Sequence, residues 1–204
     1  MEAQLIKTKD AAASERQKYE EIWGHKEYRD KSPGLENVER FMSVMKPEKG
    51  ETLIDIGCGS GVAGLEFERL GLDVWYLDIT DAGLEQKVNR KRFIRQPLWE
   101  EWRHFGPDGM DGWNYGWRYG FCCDVMEHIP TEYSMLVVDR ILRSCGTTWF
   151  HIAMFRDGFG KMIGKPLHLT VKPYSWWLEH IGGIGNILDA RDLCGMGLFV
   201  VESK

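Results

Sequence analysis

Polar and apolar positions in the first fifty residues recur with helical spacing. The stretch AAASERQKYEEIW is rich in residues of high helix propensity and predicts a helix that extends to about Trp23. After the SPG sequence at residues 32–34, apolar side chains from Leu35 to Met45 recur every three or four positions and predict a second helix, with Ser32 as its cap. We therefore expect residues 1–50 to form a helical N-terminal segment.

From Glu51 onward, short apolar runs alternate with helical patterns. The predicted strands are TLIDI, DVWYLDI, RFIRQPL, WRYGFCCDV, TTWFHIAMF and, with rougher bounds, ILDARDL and LFVVES. The predicted helices between them are VAGLEFERLG, residues 81–91, residues 131–145 with Thr131 as the cap, and VKPYSWWLEHI. Residues 99–117 are predicted to form a loop rich in glycine and tryptophan.

This alternation predicts an α/β fold with a mostly parallel sheet and helices on both of its faces. Only a short glycine-containing link separates the last two strands, so we expect them to pair as an antiparallel hairpin at the sheet edge. The length of 204 residues suits a single domain with a substantial core. We expect that core to be residues 51–204, preceded by the helical segment 1–50.

Composition and charge narrow the classes of function. The net charge of −5 argues against a general affinity for nucleic acid, and the basic run KVNRKRFIR at residues 87–95 is interpreted as a solvated helix face, with a local nucleic-acid patch as the alternative. Five cysteines without metal-type spacing indicate reduced thiols. The N-terminus lacks a signal-peptide core, and no run approaches the ~18 apolar residues of a membrane span. We therefore expect a soluble, cytoplasmic protein.

The stretch LIDIGCGSGVAG, residues 53–64, places a glycine loop between a predicted strand and a predicted helix N-terminus. From Gly59 onward it fits the dinucleotide fingerprint G-x-G-x-x-G, whereas from Asp55 onward it has the form D-x-G-x-G-x-G. The strand ends near Ile56, so a dinucleotide loop that begins at Gly59 comes two residues too late. Asp55 suits a ligand that carries a cationic amino group. We therefore favour the interpretation that begins at Asp55.

Three motifs in this order resemble the class I S-adenosylmethionine-dependent methyltransferases, and the resemblance covers about residues 20–204. They are DIGCGSG, the acidic residue Asp78 that ends the next strand in WYLDI, and DVMEHIP at residues 124–130. The resemblance implies a Rossmann-like three-layer fold with a seven-stranded sheet whose last strand is antiparallel. It also implies S-adenosylmethionine as the cofactor.

The same resemblance implies the residues that hold the cofactor. A carboxylate at Asp78 would accept both ribose hydroxyls. The family commonly has an acidic or polar residue after the third strand, where it binds the adenine amine. This chain has QPLW there, so we expect a main-chain group near Leu98 and the ring of Trp99 to take that part. The predicted cofactor-binding residues are Tyr28, Asp55, Gly57, Cys58, Gly59, Gly61, Asp78, Ile79, Leu98, Trp99 and Asp124.

Candidate catalytic residues follow the fourth predicted strand. Methyl transfer from a sulfonium needs a positioned acceptor and, for a weak nucleophile, the removal of a proton. Asp124, Glu127 and His128 come at the end of that strand, where open parallel sheets bind ligands. His168 in PLHLTVKP is a plausible later partner, and we take these four residues as the catalytic candidates.

A metal at this place is one of two interpretations. Some small-molecule and RNA-end methyltransferases with a similar E-x-x-E-H pattern hold a divalent metal there with a later histidine. Alternatively, Glu127 and His128 cap and orient the next helix while Asp124 lines the pocket. Three potential ligands near one strand end do not establish a site, so we favour the second interpretation. No metal ligand is assigned, and any effect of a divalent metal is expected to be optional.

Two segments are candidates for covering the site. The segment from His25 to Gly34 contains His25, Tyr28 and Arg29, and the corresponding segment often forms a lid in this family; the alternative is a solvated helix. The glycine-rich loop at residues 106–117 is the second candidate cover, since long loops in compact domains are usually functional or mobile.

The spacing of three aromatic residues predicts whether each lies in the core or lines the pocket. His151 alternates with apolar neighbours in TTWFHIAMF and is predicted to be a partnered core histidine. Trp176 and Trp177 are adjacent on a predicted helix and must face different sides of it. We expect at most one of the two to line the pocket and the other to be core.

The acceptor class follows from motifs that the chain lacks. There is no N/D-P-P-Y/F/W sequence at the fourth strand and no Pro-Cys nucleophile, the motifs of base-methylating enzymes. The acceptor is therefore expected to be a small molecule, a sugar or a lipid-linked group and not a nucleic acid. An NAD-linked oxidoreductase and a non-catalytic cofactor-binding module are the alternatives. The sequence leaves the acceptor's identity and the oligomeric state open.

Overall fold

Helices and strands alternate along the chain in the order that the apolar pattern predicts. The computed structural model describes the backbone of residues 2–101 and 116–204, and the side chains from residue 10 onward within them. The α-helices of these residues are α1 (Glu2–Ile22), α2 (Lys26–Arg29), α3 (Pro33–Met45), α4 (Val62–Arg69), α5 (Thr131–Ser144) and α6 (Tyr174–Ile184). The strands are β1 (Thr52–Ile56), β2 (Asp73–Asp78), β3 (Phe93–Arg95), β4 (Trp117–Cys123), β5 (Cys145–Ala153), β6 (Asn186–Asp192) and β7 (Met196–Glu202). Short 3₁₀ turns cover Arg90–Arg92, Met126–His128 and Phe159–Met162.

The seven strands of the described chain form one sheet in the order β3-β2-β1-β4-β5-β7-β6. The pairs are parallel except at β7, which runs antiparallel to both β5 and β6. This confirms the predicted seven-stranded, mostly parallel sheet with an antiparallel hairpin at its edge. The strand order reverses between β1 and β4, so the carboxyl ends of these strands flank the crevice in which open parallel sheets bind ligands.

Helices cover both faces of the sheet, because alternate side chains of each strand point to opposite faces. On one face, Phe41 of α3 is fully buried, with its ring 5.0 Å from Phe67 of α4 and 5.6 Å from Phe121 of β4. On the other face, α5 and α6 bury Ile141 and Trp177 against the strands. Helix α3 is therefore part of the sheet's cover as well as of the N-terminal segment.

The end of α1 packs against the glycine loop. A Cβ built on Gly59 would lie 2.9 Å from the buried ring of Trp23, and one on Gly83 would lie 2.3 Å from it. The ring therefore occupies space that only glycine leaves open at these two positions. In addition, Nε of Arg16 donates a 3.0 Å hydrogen bond to the carbonyl of Ile79. These contacts hold α1 beside the carboxyl ends of β1 and β2.

The prediction of a helix over residues 81–91 is wrong. The segment forms turns, in which the N–H of Leu84 donates to the carbonyl of Asp81 and the N–H of Glu85 donates to the carbonyl of Ser60. The second bond, at 2.9 Å, joins the segment to the glycine loop. A contact between distant segments therefore replaces the i→i−4 bonds of a helix.

The third strand is shorter than predicted. It ends at Arg95, whereas the RFIRQPL pattern extends it to Leu98. The N–H of Gln96 still donates a 2.9 Å bond to the carbonyl of Asp78. Pro97 has no N–H and cannot continue the ladder, which accounts for the early end.

Of the two predicted helix caps, Ser32 has the predicted position but not the capping bond, and Thr131 has neither. Ser32 holds the N-cap position of α3, but its side chain makes no capping hydrogen bond there. Pro130 holds the N-cap position of α5, and Thr131 is already helical. The hydroxyl of Thr131 instead lies 2.8 Å from that of Thr170. It therefore fastens the segment before α6 to the start of α5.

Three further predictions concern the loop over the site, membrane spans and the cysteines. Residues 106–115 of the loop that was predicted to cover the site lie outside the described residues. Among the helices that the structure describes, none has the length and apolar character needed to cross a membrane. The cysteines are unpaired, and Cys122, Cys123 and Cys145 are buried, as their apolar surroundings predict.

Candidate active site

A cavity of about 360 Å³ opens at the carboxyl ends of β1, β2 and β4, where the strand order reverses. Its walls come from the glycine loop, the ends of these strands, the inner face of α1, the link between α2 and α3, and the segment after β5. The predicted cofactor-binding and catalytic residues line this cavity, with the exception of Gly61 and Glu127. The structure thus brings the candidates together, while their individual roles stay predictions.

The glycine loop turns tightly against the end of β2. Gly57 and Gly59 have φ angles of 67° and 55°, in the left-handed region that favours glycine. A Cβ on Gly57 would also lie 2.4 Å from a methyl group of Val125. The N–H groups of Gly57 and Cys58 both point at the carbonyl of Leu77, at 2.7 and 3.1 Å. The loop backbone therefore reaches the cavity in one fixed conformation.

Asp78 ends β2 and is fixed by the backbone on two sides. Its Oδ2 accepts a 2.9 Å hydrogen bond from the N–H of Gly59, and its Oδ1 accepts a 3.1 Å bond from the N–H of Thr80. Burial raises the pKa of Asp78 to about 6, against the lowering effect of these hydrogen bonds. Each oxygen keeps a further lone pair, so the carboxylate can still accept hydroxyl groups of a ligand.

Asp55 is the second buried carboxyl group of this wall. Its Oδ2 accepts a 3.1 Å hydrogen bond from the N–H of Gly64 in the first turns of α4. Burial raises the pKa of Asp55 to about 7, and the nearby Asp78 adds to the rise. Two such groups on one wall favour a cationic ligand or hydroxyl donors and disfavour a diphosphate.

Aromatic side chains flank the carboxyl groups. Trp99 is buried and stacks on Tyr133, with ring centroids 5.5 Å apart and an interplanar angle of 15°. Tyr28 of α2 meets Trp23 and Phe159 edge-on, at 4.9 and 5.7 Å. Burial raises the pKa of Tyr28, so its hydroxyl is neutral. Tyr28 and Trp99 thus supply apolar surface to the cavity at fixed places.

Asp124 has an unusual backbone conformation at the end of β4. Its φ angle is 54°, a left-handed conformation that strains a residue other than glycine. Its N–H donates a 2.8 Å bond to the carbonyl of His151. Its Oδ2 lies 3.2 Å from Sγ of Cys123 and 3.2 Å from Nδ1 of His151. His151 is buried with a partner, which confirms its assignment to the core.

Glu127 and His128 do not cap α5, contrary to the interpretation favoured from the sequence. Oε1 of Glu127 accepts a 3.1 Å bond from the N–H of Ala153 at the end of β5. Nδ1 of His128 lies 3.1 Å from the carbonyl of Leu167. Both side chains therefore turn away from the helix start, whose N-cap position is held by Pro130.

His168 joins Glu127 and His128, as the sequence predicts, but Asp124 does not. The ring centroids of His128 and His168 are 4.7 Å apart, edge to face. Desolvation, followed by the neighbouring His168, lowers the pKa of His128 to about 3, so this imidazole is neutral at pH 7. Asp124 belongs to a separate group with Cys123 and His151. The four catalytic candidates therefore form two clusters.

The inner face of α1 was not predicted as part of the site. Glu15 and Tyr19 of α1 and Trp23 directly after its end all line the cavity, and each follows the last by four residues. This spacing on an otherwise polar helix is the signal that identifies them. The buried hydroxyl of Tyr19 has no hydrogen-bond partner among the described residues, and burial raises its pKa well above the usual value. A ligand hydroxyl or carboxylate would supply that partner.

Some predicted contacts lie elsewhere. Trp177 is fully buried in the core, as predicted for one of the tryptophan pair. Trp176 stacks on His180 at 4.0 Å and does not line the cavity, so neither tryptophan of the pair reaches it, within the prediction of at most one. Helix α6 packs on β6 and β7, away from the reversal point. His25 and Arg29 do not line the cavity either, whereas Tyr28 does.

The chain is similar in structure to solved methyltransferases. One is the 1,6-didemethyltoxoflavin-N1-methyltransferase of Burkholderia thailandensis, solved with 1,6-didemethyltoxoflavin and S-adenosylhomocysteine. The TM-score is 0.67 at 14% sequence identity, over 96% of this chain and 89% of that one. Another is the magnesium protoporphyrin IX methyltransferase of Synechocystis, solved with S-adenosylmethionine. Its TM-score is 0.58 at 13% identity, over 83% of this chain and 78% of that one.

Sequence similarity to curated proteins is weaker. No model of a known protein family matches the chain. The biotin biosynthesis bifunctional protein BioHC of Saccharophagus degradans is 28% identical over 110 residues, which are 51% of this chain. That stretch spans only 18% of the curated relative.

Together, the strand order and the structural similarities confirm the fold that the sequence motifs imply. The chain has the Rossmann-like fold of the class I S-adenosylmethionine-dependent methyltransferases. At these identities the similarity establishes the fold, and the chemistry of the site has to be argued from its own residues.

Proposed function

We propose that the protein transfers the methyl group of S-adenosylmethionine to a small molecule, a sugar or a lipid-linked acceptor. The fold, the carboxyl groups beside the glycine loop and the size of the cavity support this proposal. A volume of about 360 Å³ lies in the range usual for small-molecule sites. The division into a helical lid, residues 1–50, and a Rossmann-like core, residues 51–204, belongs to the same proposal.

The pair of buried carboxyl groups, Asp55 and Asp78, carries the choice of cofactor. S-Adenosylmethionine offers an ammonium group and two ribose hydroxyls, which are partners for carboxylates. A dinucleotide would bring a diphosphate to the loop instead. The N–H groups of Gly59 and Gly61 already donate to Asp78 and to the carbonyl of Cys58. These donors are therefore occupied, which favours S-adenosylmethionine over NAD.

The acceptor would lie against the clusters at the end of β4. The bound cofactor supplies the electrophilic methyl group, so the protein has to position the acceptor and receive a proton. Asp124 is the candidate base, because its carboxylate lines the cavity and is held by His151. Tyr19 and His168 line the same cavity and are candidates for orienting the acceptor.

The charged surface supports a small acceptor over nucleic acid. The basic run at residues 87–95 is not a helix face, and its arginines are paired. Arg90 and Arg95 form ion pairs with Asp81, and Arg92 forms one with Asp73. With two aspartates for three arginines, these pairs offset part of the positive charge that would otherwise meet phosphates.

A crystal structure with S-adenosylhomocysteine tests the proposal. We expect the ribose at Asp78 and the amino-acid end at Asp55. Free space should remain beside the sulfur, toward Asp124 and His168, and its shape would bound the acceptor. A cofactor bound as expected but with that space filled by side chains would favour a non-catalytic binding module. Failure to bind at these carboxyl groups would contradict the proposal itself.

A further inference from the structure

The charged side chains that line the cavity are mostly acidic. Among the described residues, the lining side chains with a carboxyl or an ammonium group are five acids and one base: Glu15, Asp55, Asp78, Asp124, Asp157 and Lys31. The lysine is exposed, in the link between α2 and α3. Two imidazoles also line the cavity, and that of His128 is neutral at pH 7 because burial lowers its pKa to about 3. Acidic groups therefore outnumber basic ones in the part of the cavity that the structure describes.

The proposed cofactor accounts for only part of this acidity. The two carboxyl groups at the ends of β1 and β2 are assigned to its amino group and its ribose. Glu15 forms an ion pair with Lys18 of the same helix, so its charge is balanced within the protein. Two carboxyl groups remain, those of Asp124 and Asp157. They follow β4 and β5, on the side of the cavity assigned to the acceptor.

Asp124 keeps one carboxyl oxygen for a ligand. Its Oδ2 lies 3.2 Å from Sγ of Cys123 and 3.2 Å from Nδ1 of His151. Oδ1 takes no part in these two contacts, and the side chain lines the cavity. The left-handed φ of 54° strains the backbone here, and such strain is retained mainly at functional sites. Oδ1 is thus available to a hydrogen-bond donor of a bound molecule.

Asp157 adds a fixed negative charge to the same wall. Its Oδ1 accepts a 2.6 Å hydrogen bond from the N–H of Gly160. Its Oδ2 accepts bonds from the N–H groups of Leu167 and His168, at 2.9 and 3.2 Å. Partial burial raises the pKa of Asp157, but these hydrogen bonds outweigh that effect and hold the pKa below its usual value. The side chain is therefore an ionised carboxylate at pH 7.

Aromatic rings line the cavity together with these carboxylates. Tyr28 meets Phe159 edge-on, with ring centroids 5.7 Å apart. Phe155 lines the cavity and is nevertheless 52% exposed. Burial, followed by four carboxyl groups that include Asp157 and Asp124, raises the pKa of Tyr28, so both carboxylates act on this ring. The faces of tyrosine and phenylalanine rings attract cations within about 6 Å. Rings and carboxylates together are the partners that an organic ammonium ion requires.

The same groups discriminate between acceptors by charge. Neither Asp124 nor Asp157 forms an ion pair with a lysine or an arginine of the described residues. A bound cation would supply the missing charge, and the buried hydroxyl of Tyr19 can accept one of its N–H groups. A sugar hydroxyl brings no charge, and a carboxylate or a phosphate would be repelled.

We propose that the methyl acceptor is an organic amine with an apolar or aromatic body, which binds as its ammonium ion beside Asp124 and Asp157. This inference rests on the proposed methyl transfer and names its substrate class. Before transfer, the ammonium group gives one proton to the carboxylate of Asp124. The nitrogen lone pair then forms a bond to the methyl carbon and displaces the sulfur, which keeps the electron pair of the broken bond. The product leaves as a methylated ammonium ion.

Three probes that share one ring and differ in charge test the proposal. Benzylamine, benzyl alcohol and benzoate are titrated at pH 7 into the full chain saturated with S-adenosylhomocysteine, and ligand-observed NMR measures each affinity. We expect benzylamine to bind roughly 10-fold or more tightly than either of the others, the lower end of what a hydrogen bond to a charged group contributes.

A matched pair of variants assigns the effect to the cavity. Asp124→Asn removes the charge and keeps the shape of the side chain, so benzylamine should bind roughly 10-fold more weakly, while benzyl alcohol should change much less. Asp139→Asn is the control, because it makes the same change in net charge on α5, at a residue paired with Arg143 outside the cavity. It should leave all three affinities unchanged. Circular dichroism checks that each variant is folded.

Three results would overturn the inference and leave the proposed methyl transfer intact, provided that S-adenosylhomocysteine binds. They are the absence of benzylamine binding, an affinity for benzyl alcohol or benzoate that equals that for benzylamine, and a benzylamine affinity that does not respond to Asp124→Asn. Failure of S-adenosylhomocysteine to bind would instead contradict the proposed function, and this inference with it. If Asp124→Asn does not fold, the ranking of the three probes on the wild-type chain still decides.

Discussion

The N–H of Gly59 donates a 2.9 Å hydrogen bond to Oδ2 of Asp78, and this bond joins the glycine loop to the end of β2. Gly59 is also the first glycine of the competing dinucleotide fingerprint. In a pyrophosphate site its N–H would belong to the ligand, whereas here the protein's own carboxylate takes it. The glycine loop and Asp78, the two motifs that imply S-adenosylmethionine, are therefore joined by a direct hydrogen bond.

Replacing Asp78 should weaken cofactor binding. Asp78→Ala removes the carboxylate that the ribose hydroxyls would meet, and we expect a loss of roughly 1.5–3 kcal/mol, the range for hydrogen bonds to a charged group. Asp81→Ala is a matched control, because Asp81 lies three residues further on and is paired with Arg90 and Arg95 outside the cavity. Calorimetry with S-adenosylhomocysteine measures both. Equal losses in the two variants would contradict the role given to Asp78.

Asp55 should make stability depend on pH. Its ordinary pKa of 3.8 rises to about 7 in the folded state, so ionisation destabilises the fold as pH rises from about 4 through 7. Asp55→Asn removes this effect and should raise the free energy of unfolding of the ligand-free protein by roughly 1–4 kcal/mol at pH 8, and by little at pH 4. The same variant should bind the cofactor more weakly.

Urea unfolding at pH 4, 6 and 8 measures this difference. Asp30→Asn, at an exposed position after α2, provides the control and should track the wild type at each pH. A gap between Asp55→Asn and wild type that stays constant from pH 4 to pH 8 would mean that ionisation of Asp55 is not its source.

The contact between Trp23 and Gly83 should be intolerant of one extra methyl group. A Cβ at Gly83 would lie 2.3 Å from the ring, so Gly83→Ala should destabilise the fold by roughly 1–3 kcal/mol through overpacking. Gly183→Ala lies in α6 with open space around the new Cβ and should be neutral or stabilising. Thermal melts compare the two. Equal melting temperatures would show that α1 does not pack on the loop as described.

Much of the fold follows from local pattern. Three of the five residues of TLIDI are apolar and lie on both faces of β1, because this strand is buried on both sides between β2 and β4. The acidic residues at the ends of β1 and β2 could be assigned because strand ends are fixed by the same pattern. The closing hairpin follows from the short link between β6 and β7.

What could not be predicted depends on contacts between distant segments. The turns at residues 81–91 are set by the bond from Glu85 to Ser60, which no local pattern encodes. The side chain of Glu127 accepts a hydrogen bond from Ala153 of β5. The sequence next to Glu127 suggested the start of α5 as its partner instead. The place of α1 in the site follows from its contacts with the segments after β1 and β2, and helix propensity does not predict such contacts.

The link from α2 to α3 should become ordered when the cofactor binds. Tyr28 and residues 31–34 line the cavity, while most of residues 25–34 are exposed and bury little apolar surface. Cofactor contacts would then supply the missing stabilisation and close the site to water. Hydrogen exchange with and without S-adenosylhomocysteine measures this. Protection that appears at residues 55–61 but not at residues 25–34 would rule out a lid.

The central claim is that the cavity at the ends of β1, β2 and β4 binds S-adenosylmethionine. Calorimetric titration of the full chain with S-adenosylmethionine, S-adenosylhomocysteine and NAD tests it most directly. The two carboxyl groups Asp55 and Asp78 favour an ammonium group and ribose hydroxyls, and the N–H groups of Gly59 and Gly61 are already used within the protein. We therefore predict that both sulfur compounds bind one per chain and that NAD gives no measurable heat. Tighter binding of NAD would contradict the account.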